Sequence, residues 1–397
     1  MKNKALPIFL AFLCMGFVDV VGPLVSLAKE SFHLSNFMAQ LLPLSGMIMF
    51  GLLSIPMGLV QDRKGKKFVL SLGLAMALIG MIIPILNGMF GAKVNIAVAS
   101  MGQFYILLFS ILILGAGATT LQVAGNPVMR DVSAEGRYSS NLSLAQSVKA
   151  IGSSLGFLVP PLVLWLFGLD WTILFPLFAL LITINLIWIR LTEITENRSS
   201  ERITASFSSC LSLFFTNGYV LLMVLGIFVY VGAEVSMSSG IPILMKEQYG
   251  ITSFGLWLSW LLFFLPILAG RAVGSAVLRH IAPGRFLLLS ILVSMSGILL
   301  LFTGSQVLAF TGIVMTGLGF ANIFPLIFSI TVDRMPERTN ELAGLMVTAI
   351  VGGAFIPPVM GKVADLAGSD ILVGFVVPLA CIVYLLLAAL KNTRQKV

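Results

Sequence analysis

Twelve apolar runs, at 5–28, 38–60, 68–88, 97–127, 140–167, 171–190, 212–245, 253–278, 286–303, 307–332, 340–366 and 370–390, occupy most of this 397-residue chain. A helix needs about 20 apolar residues to cross the hydrocarbon core of a bilayer. Lipid offers backbone groups no hydrogen bonds, so each run must satisfy its own N–H and C=O groups, which a helix does. The expected fold is an all-α membrane protein with twelve transmembrane helices. Only 10% of the residues are charged, against about 25% in soluble domains.

Basic residues set the orientation. With the N-terminus inside, the segments that fall on the cytoplasmic side carry 18 of the 24 Lys and Arg, among them Arg63, Lys64, Lys66 and Lys67 in one loop. The opposite side carries Lys29, Lys93, Lys246 and Lys362. Both termini are therefore expected in the cytoplasm. The net charge of +8 is spread over short loops, which argues for topology and against nucleic acid. The first run contains Asp19 and lacks a small-residue cleavage site, so it reads as a span rather than a signal peptide. Cys14, Cys210 and Cys381 have no metal or disulfide spacing. Trp165, Trp171, Trp257 and Trp260 lie near run ends and read as interface anchors.

The polar stretch 192–211 reads as a cytoplasmic linker between an N-terminal six-helix bundle (1–191) and a C-terminal one (212–397). The halves share a pattern: "AIGSSLGFLVPP" at 150–161 recurs as "AIVGGAFIPP" at 349–358, and Pro127 corresponds to Pro325. Many secondary transporters are built from such repeats. The glycines let helices approach closely.

Four charges fall inside apolar runs, where ionised groups are costly and usually functional. Asp19, Lys149, Glu234 and Arg271 sum to zero. Gln122, Asn126, Gln146 and Asn322 give them polar company. Asp19 and Glu234 are candidate carboxylates that exchange a proton near neutral pH, with structural pairing as the alternative for each. Glu234 also suits direct hydrogen bonding to substrate. Arg271 keeps its proton, and structural and functional readings stand level. Gln146 and Asn322 can each donate to and accept from sugar hydroxyls, while a single amide often only joins two helices. No nucleophile elbow, Walker loop, zinc helix or dinucleotide fingerprint occurs, so neither an enzyme nor a resident cofactor or metal is expected.

"GLVQDRKGKK" at 58–67 resembles the loop between the second and third spans of the major facilitator superfamily. The resemblance implies a cytoplasmic gate formed by Gly58, Asp62, Arg63, Gly65 and Lys66, with Asp62 facing a helix N-terminus. "LQVAGNP" (121–127), "LSLAQSVKAIG" (142–152), "FVYVGAEVSM" (228–237), "GFANIFPLIFSIT" (319–331) and "AGLMVTAIVGGAFIPP" (343–358), with Asp19, are similar to the fucose permease family, which includes bacterial glucose/galactose transporters. That resemblance implies the major facilitator fold, proton- or other cation-coupled hexose uptake, and a monomer. It places Asp19 at the acidic residue of the first span, Gln146 at a sugar-contacting amide, and Glu234 in a segment typical of the hexose branch. Gln122 stands where fucose-type members have glutamate, and Lys149 where the family typically has asparagine.

Three readings of Lys149 stand open: pairing with Asp19 or Glu234, meeting an anionic substrate, or snorkelling to the cytoplasmic surface. The function expected is cation-coupled symport of a monosaccharide or derivative by alternating access in a bacterial cytoplasmic membrane. The proton is the expected ion, and sodium stays open. The alternative is transport, including export, of an anionic sugar acid or an amphipathic metabolite. The expected partners are a small-molecule substrate and the lipid bilayer.

Overall fold

The computed structural model describes residues 2–92, 100–132, 138–193, 207–252, 254–277, 281–335 and 338–394. In chain order its helices are α1 (Lys2–Met15), α2 (Val21–Ser31), α3 (Asn36–Ala39), α4 (Leu41–Lys64), α5 (Lys66–Leu86), α6 (Met101–Val132), α7 (Tyr138–Phe167) and α8 (Leu174–Leu191). They continue with α9 (Phe207–Thr216), α10 (Gly218–Tyr249), α11 (Gly255–Ser259), α12 (Leu265–Val277), α13 (Pro283–Leu301), α14 (Gln306–Phe320) and α15 (Ile323–Arg334). The last are α16 (Thr339–Thr348), α17 (Gly352–Leu366), α18 (Ile371–Gly374) and α19 (Val376–Arg394). All regular structure among the described residues is helical.

Ten helical stretches there are long and apolar enough to cross a membrane, or eleven when a bent pair, Leu6–Val18 with Val21–Ser31, counts as one span. The protein is therefore a multi-pass membrane protein. The run at 253–278 is represented by a shorter apolar helix, Gly255–Arg271.

The chain divides into two compact units, Met1–His33 with Ser45–Ile203, and Leu34–Leu44 with Thr204–Val397. In the first, α1 and the turn after it pack on α7 through glycine. A Cβ at Gly152 would overlap the Leu13 carbonyl, and one at Gly16 would overlap the Lys149 carbonyl. In the second, α10 meets α17 the same way: a Cβ at Gly352 would overlap the Phe228 carbonyl, and one at Gly232 would strike Ile356. The recurring 150–161 and 349–358 segments thus do the same work, bringing two backbones together where no side chain fits.

Segment 34–44 belongs to the second unit for visible reasons. Asp365 accepts the backbone N–H of Asn36 at 2.9 Å and of Phe37 at 2.8 Å, satisfying orphan donors of α3. The Gln40 side chain accepts from Ser239 Oγ at 2.9 Å in a fully buried contact. Trp171, expected at a lipid interface, is instead buried, with its indole N–H donating to Ser31 Oγ at 3.0 Å. An apolar body with one satisfied donor suits an interior as well as an interface.

The 58–67 loop is a sharp helix–helix turn. α4 ends at Lys64, and Gly65 takes φ 89°, ψ 160° before α5 begins. Only glycine visits that region at little cost. Gly65→Ala is expected to lose about 1–3 kcal/mol of stability, seen as a lower melting temperature of the purified protein. Gly58→Ala is the control, because a Cβ there meets nothing within 4 Å. Lys66 is buried, while Arg63 and Lys64 are exposed. The Asp62 side chain lies outside the described residues, as do most of the 192–211 linker and the side chain of Cys210. Cys14 and Cys381 are buried free thiols.

Candidate substrate and coupling site

The first polar cluster grows from a defect in the first apolar helix. Pro23 has no N–H to offer the Asp19 carbonyl four residues back. That carbonyl instead accepts from Gly22 at 3.3 Å, after a 3-10 turn over Gly16–Val18. The result is a bend of 41° between Leu6–Val18 and Val21–Ser31, with Asp19 at its corner. Phe17 anchors the corner by stacking on Phe178, centroids 3.9 Å apart.

The Asp19 carboxylate faces α7. Its Oδ2 accepts from Ser153 Oγ at 2.8 Å and lies 3.5 Å from Lys149 Nζ. Lys149 and Ser153 are four residues apart and so share one face of α7. The Ser153 hydroxyl also lies 3.2 Å from the Lys149 carbonyl. The side chains of Asp19 and Lys149 are 27% and 21% exposed, so the pair is shielded but reachable. Among the three placements open to Lys149, its ammonium sits at Asp19.

Gln122 is on α6, where its Oε1 is buried with no hydrogen-bond partner among the described residues. One turn on, a Cβ at Gly125 would strike the Met15 side chain, so this part of α6 packs against α1. Asn126 follows Gln122 by four residues, on the same face of α6. The Asn126 and Gln146 side chains lie outside the described residues.

The second cluster lies in the C-terminal unit. Glu234 on α10 has Arg271 of α12 as its ion-pair partner, Nη2 to Oε1 3.8 Å. Lys149, the other cation weighed for this carboxylate, is with Asp19. The run at 307–332 is not one continuous helix but breaks at Ala321 and Asn322, between α14 and α15. Pro325 is the cause, since it removes the N–H that would pair with the Ala321 carbonyl. Side chains serve the carbonyls of the break: Tyr230 Oη donates to Phe320 O at 2.9 Å, and Arg271 Nε to Ala321 O at 3.4 Å. Asn322, taken from the sequence as a sugar contact, is buried and donates Nδ2 to Gly270 O at 2.8 Å. Its amide group would clash with any Cβ at Gly274, so that face of Asn322 is committed to helix packing.

Ser153 and Tyr230 are absent from the sequence reading because a lone hydroxyl in an apolar run is ordinary. The signal available was the spacing of Ser153 four residues beyond Lys149.

The Major Facilitator Superfamily family model matches residues 8–358. The chain belongs to the Major Facilitator Superfamily. That is a family of transporters rather than enzymes. A Helicobacter pylori protein named for glucose/galactose transport is 27% identical over 410 residues, covering 97% of this chain and 95% of the relative. The L-fucose-proton symporter of Escherichia coli is 24% identical over 378 residues, covering 86% and 82%. The solved structure of FucP in the outward conformation covers 98% of both chains, with TM-score 0.68 and 21% identity. A D-xylose-proton symporter structure covers 97% of both, with TM-score 0.73 and 14% identity. At these identities the structural likenesses establish the fold.

Proposed function

We propose that this superfamily member is a secondary active transporter that imports a neutral monosaccharide, a hexose, deoxyhexose or close derivative, together with a proton. In this reading it has twelve spans in two six-helix bundles, both termini in the cytoplasm, and works by alternating access. The observation that carries the neutral substrate is the pairing of charge: within the apolar runs Lys149 has Asp19 and Arg271 has Glu234. Neither cation offers an uncompensated charge to a sugar acid. The names of the relatives, glucose/galactose and L-fucose transporters, support the sugar class.

Coupling is assigned to Asp19, Lys149 and Ser153. A proton on Asp19 cancels the attraction that holds the ammonium, and it changes what the carboxylate and the Ser153 hydroxyl can accept. Coupled transport requires that each ligand raise the affinity for the other. Gln122, whose buried oxygen has no partner among the described residues, is the acceptor for a sugar hydroxyl in this unit, with Asn126 and Gln146 as further amides.

The test is uptake into proteoliposomes of glucose, galactose, mannose, fucose, N-acetylglucosamine and glucuronate, each under an inward proton gradient, an inward sodium gradient, and neither. Accumulation of a neutral sugar under the proton gradient alone is the expected result. Accumulation under sodium alone would replace the ion, uptake of glucuronate alone would make Lys149 a substrate ligand, and no flux of any sugar would refute the assignment.

A further inference from the structure

The chemistry of the C-terminal cluster goes beyond an ion pair. Two irregularities meet there. The backbone of Trp260–Phe264 widens into a π-turn between α11 and α12, and α14 and α15 are separated by the break at Ala321 and Asn322. The π-turn packs on α14 one turn before that break, since a Cβ at Gly317 would lie 2.5 Å from the Phe263 carbonyl. Irregular backbone at membrane depth is tolerated only where protein buries it or where it lines an aqueous cavity, and π-turns frequently mark functional sites.

Arg271 joins these features. Its Nε is spent on the Ala321 carbonyl exposed by Pro325, and its Nη2 faces Glu234. A planar guanidinium held at two points has one orientation. At 3.8 Å the pair is Coulombic, longer than a hydrogen bond. The arginine side chain is 45% exposed. It stands at the end of the apolar helix Gly255–Arg271, so the guanidinium is reachable from water.

We infer that Glu234 and Arg271 form a diol-reading pair carried entirely by the C-terminal unit, with the broken helix as the jig that aims it. One hydroxyl of a pyranose 1,2-diol donates to the carboxylate, and its neighbour accepts from the guanidinium. Arg271 is then both a ligand and the positioning residue for Glu234, while Tyr230, donating to Phe320 O, holds the break in shape. The pair sets which adjacent hydroxyls are required, and Asp19 with Lys149 sets whether their transport is driven. This inference rests on the sugar reading above.

The experiment measures the apparent affinity for gradient-free exchange of the transported sugar and of its monodeoxy analogues, in the wild type, Arg271→Lys and Glu234→Gln. In the wild type, two analogues missing adjacent hydroxyls should bind about 10- to 100-fold more weakly than the parent, as expected for losing hydrogen bonds to charged groups. Arg271→Lys keeps the charge but not the fork. It should weaken the parent sugar by a similar factor and remove the penalty for the analogue lacking the accepting hydroxyl. Glu234→Gln, close in shape, should remove the penalty for the neighbouring analogue. In both variants the dependence of accumulation on the proton gradient should persist. An unchanged analogue profile in either variant, or a fall in rate and melting temperature with the profile intact, would overturn the inference and leave the pair structural. A wild type that exchanges no sugar would overturn the sugar reading itself, a result visible before any variant is made.

Discussion

Asp19→Asn is expected to abolish accumulation of sugar under a proton gradient while leaving exchange of internal for external sugar. Asparagine keeps the size of the side chain and can still accept from Ser153, so the corner at Gly16–Val18 should persist. It takes up no proton, and the gradient then has nothing to act through. One pH unit across the membrane supports about tenfold accumulation through one coupled proton; in the variant the internal and external concentrations should level. Counterflow in the same liposomes supplies the internal control. Full accumulation by Asp19→Asn would remove this carboxylate from the coupling role and turn attention to Glu234.

The second large effect concerns Lys149. Removing one member of a shielded ion pair is worse than removing both, because it strands a charge. Lys149→Asn is expected to lower the melting temperature of the purified protein and to cut coupled accumulation at least about tenfold. The double variant Asp19→Asn with Lys149→Asn should recover most of the stability and the exchange activity, but not accumulation. The non-additivity measures the interaction in the pair. A single variant indistinguishable from wild type in both readouts would mean that the 3.5 Å approach does no work in transport.

Much of the fold was legible because bilayer thickness imposes a length that simple counting finds. Less legible was the departure of those runs from straight helices. The run at 5–28 reads as one span, yet Pro23 and Gly16 fold a corner into it. "LWLSWLLFF" gives no warning of the π-turn at Trp260–Phe264, since bulky apolar residues suit either helix. Pro325 is visible in the sequence and corresponds to Pro127, but nothing there tells which side chains serve the opened carbonyls. Charge partners were the hardest. Four ionised groups summing to zero announce pairing, but Asp19 is 130 residues from Lys149 and Glu234 is 37 from Arg271. Only tertiary packing decides between the two possible matchings. Asn322 shows the converse, since an amide suited by composition to a sugar is occupied by the Gly270 carbonyl.

The glycine contact between the first span and α7 has a mechanical consequence for the pair beside it. Asp19 is three residues from Gly16, and Gly16 meets the Lys149 carbonyl itself, so both residues lie within about 4.5 Å along the helices from the point of closest approach. Were the two helices to tilt by about 10° around that fulcrum, the charges would shift by less than about 1 Å, whereas the far end of α7, 15 residues beyond Gly152 at Phe167, would swing by about 4 Å. Held near the still point of such a movement, the pair is deaf to rocking, and what opens it must be chemical: a proton arriving, or a hydroxyl taking its place.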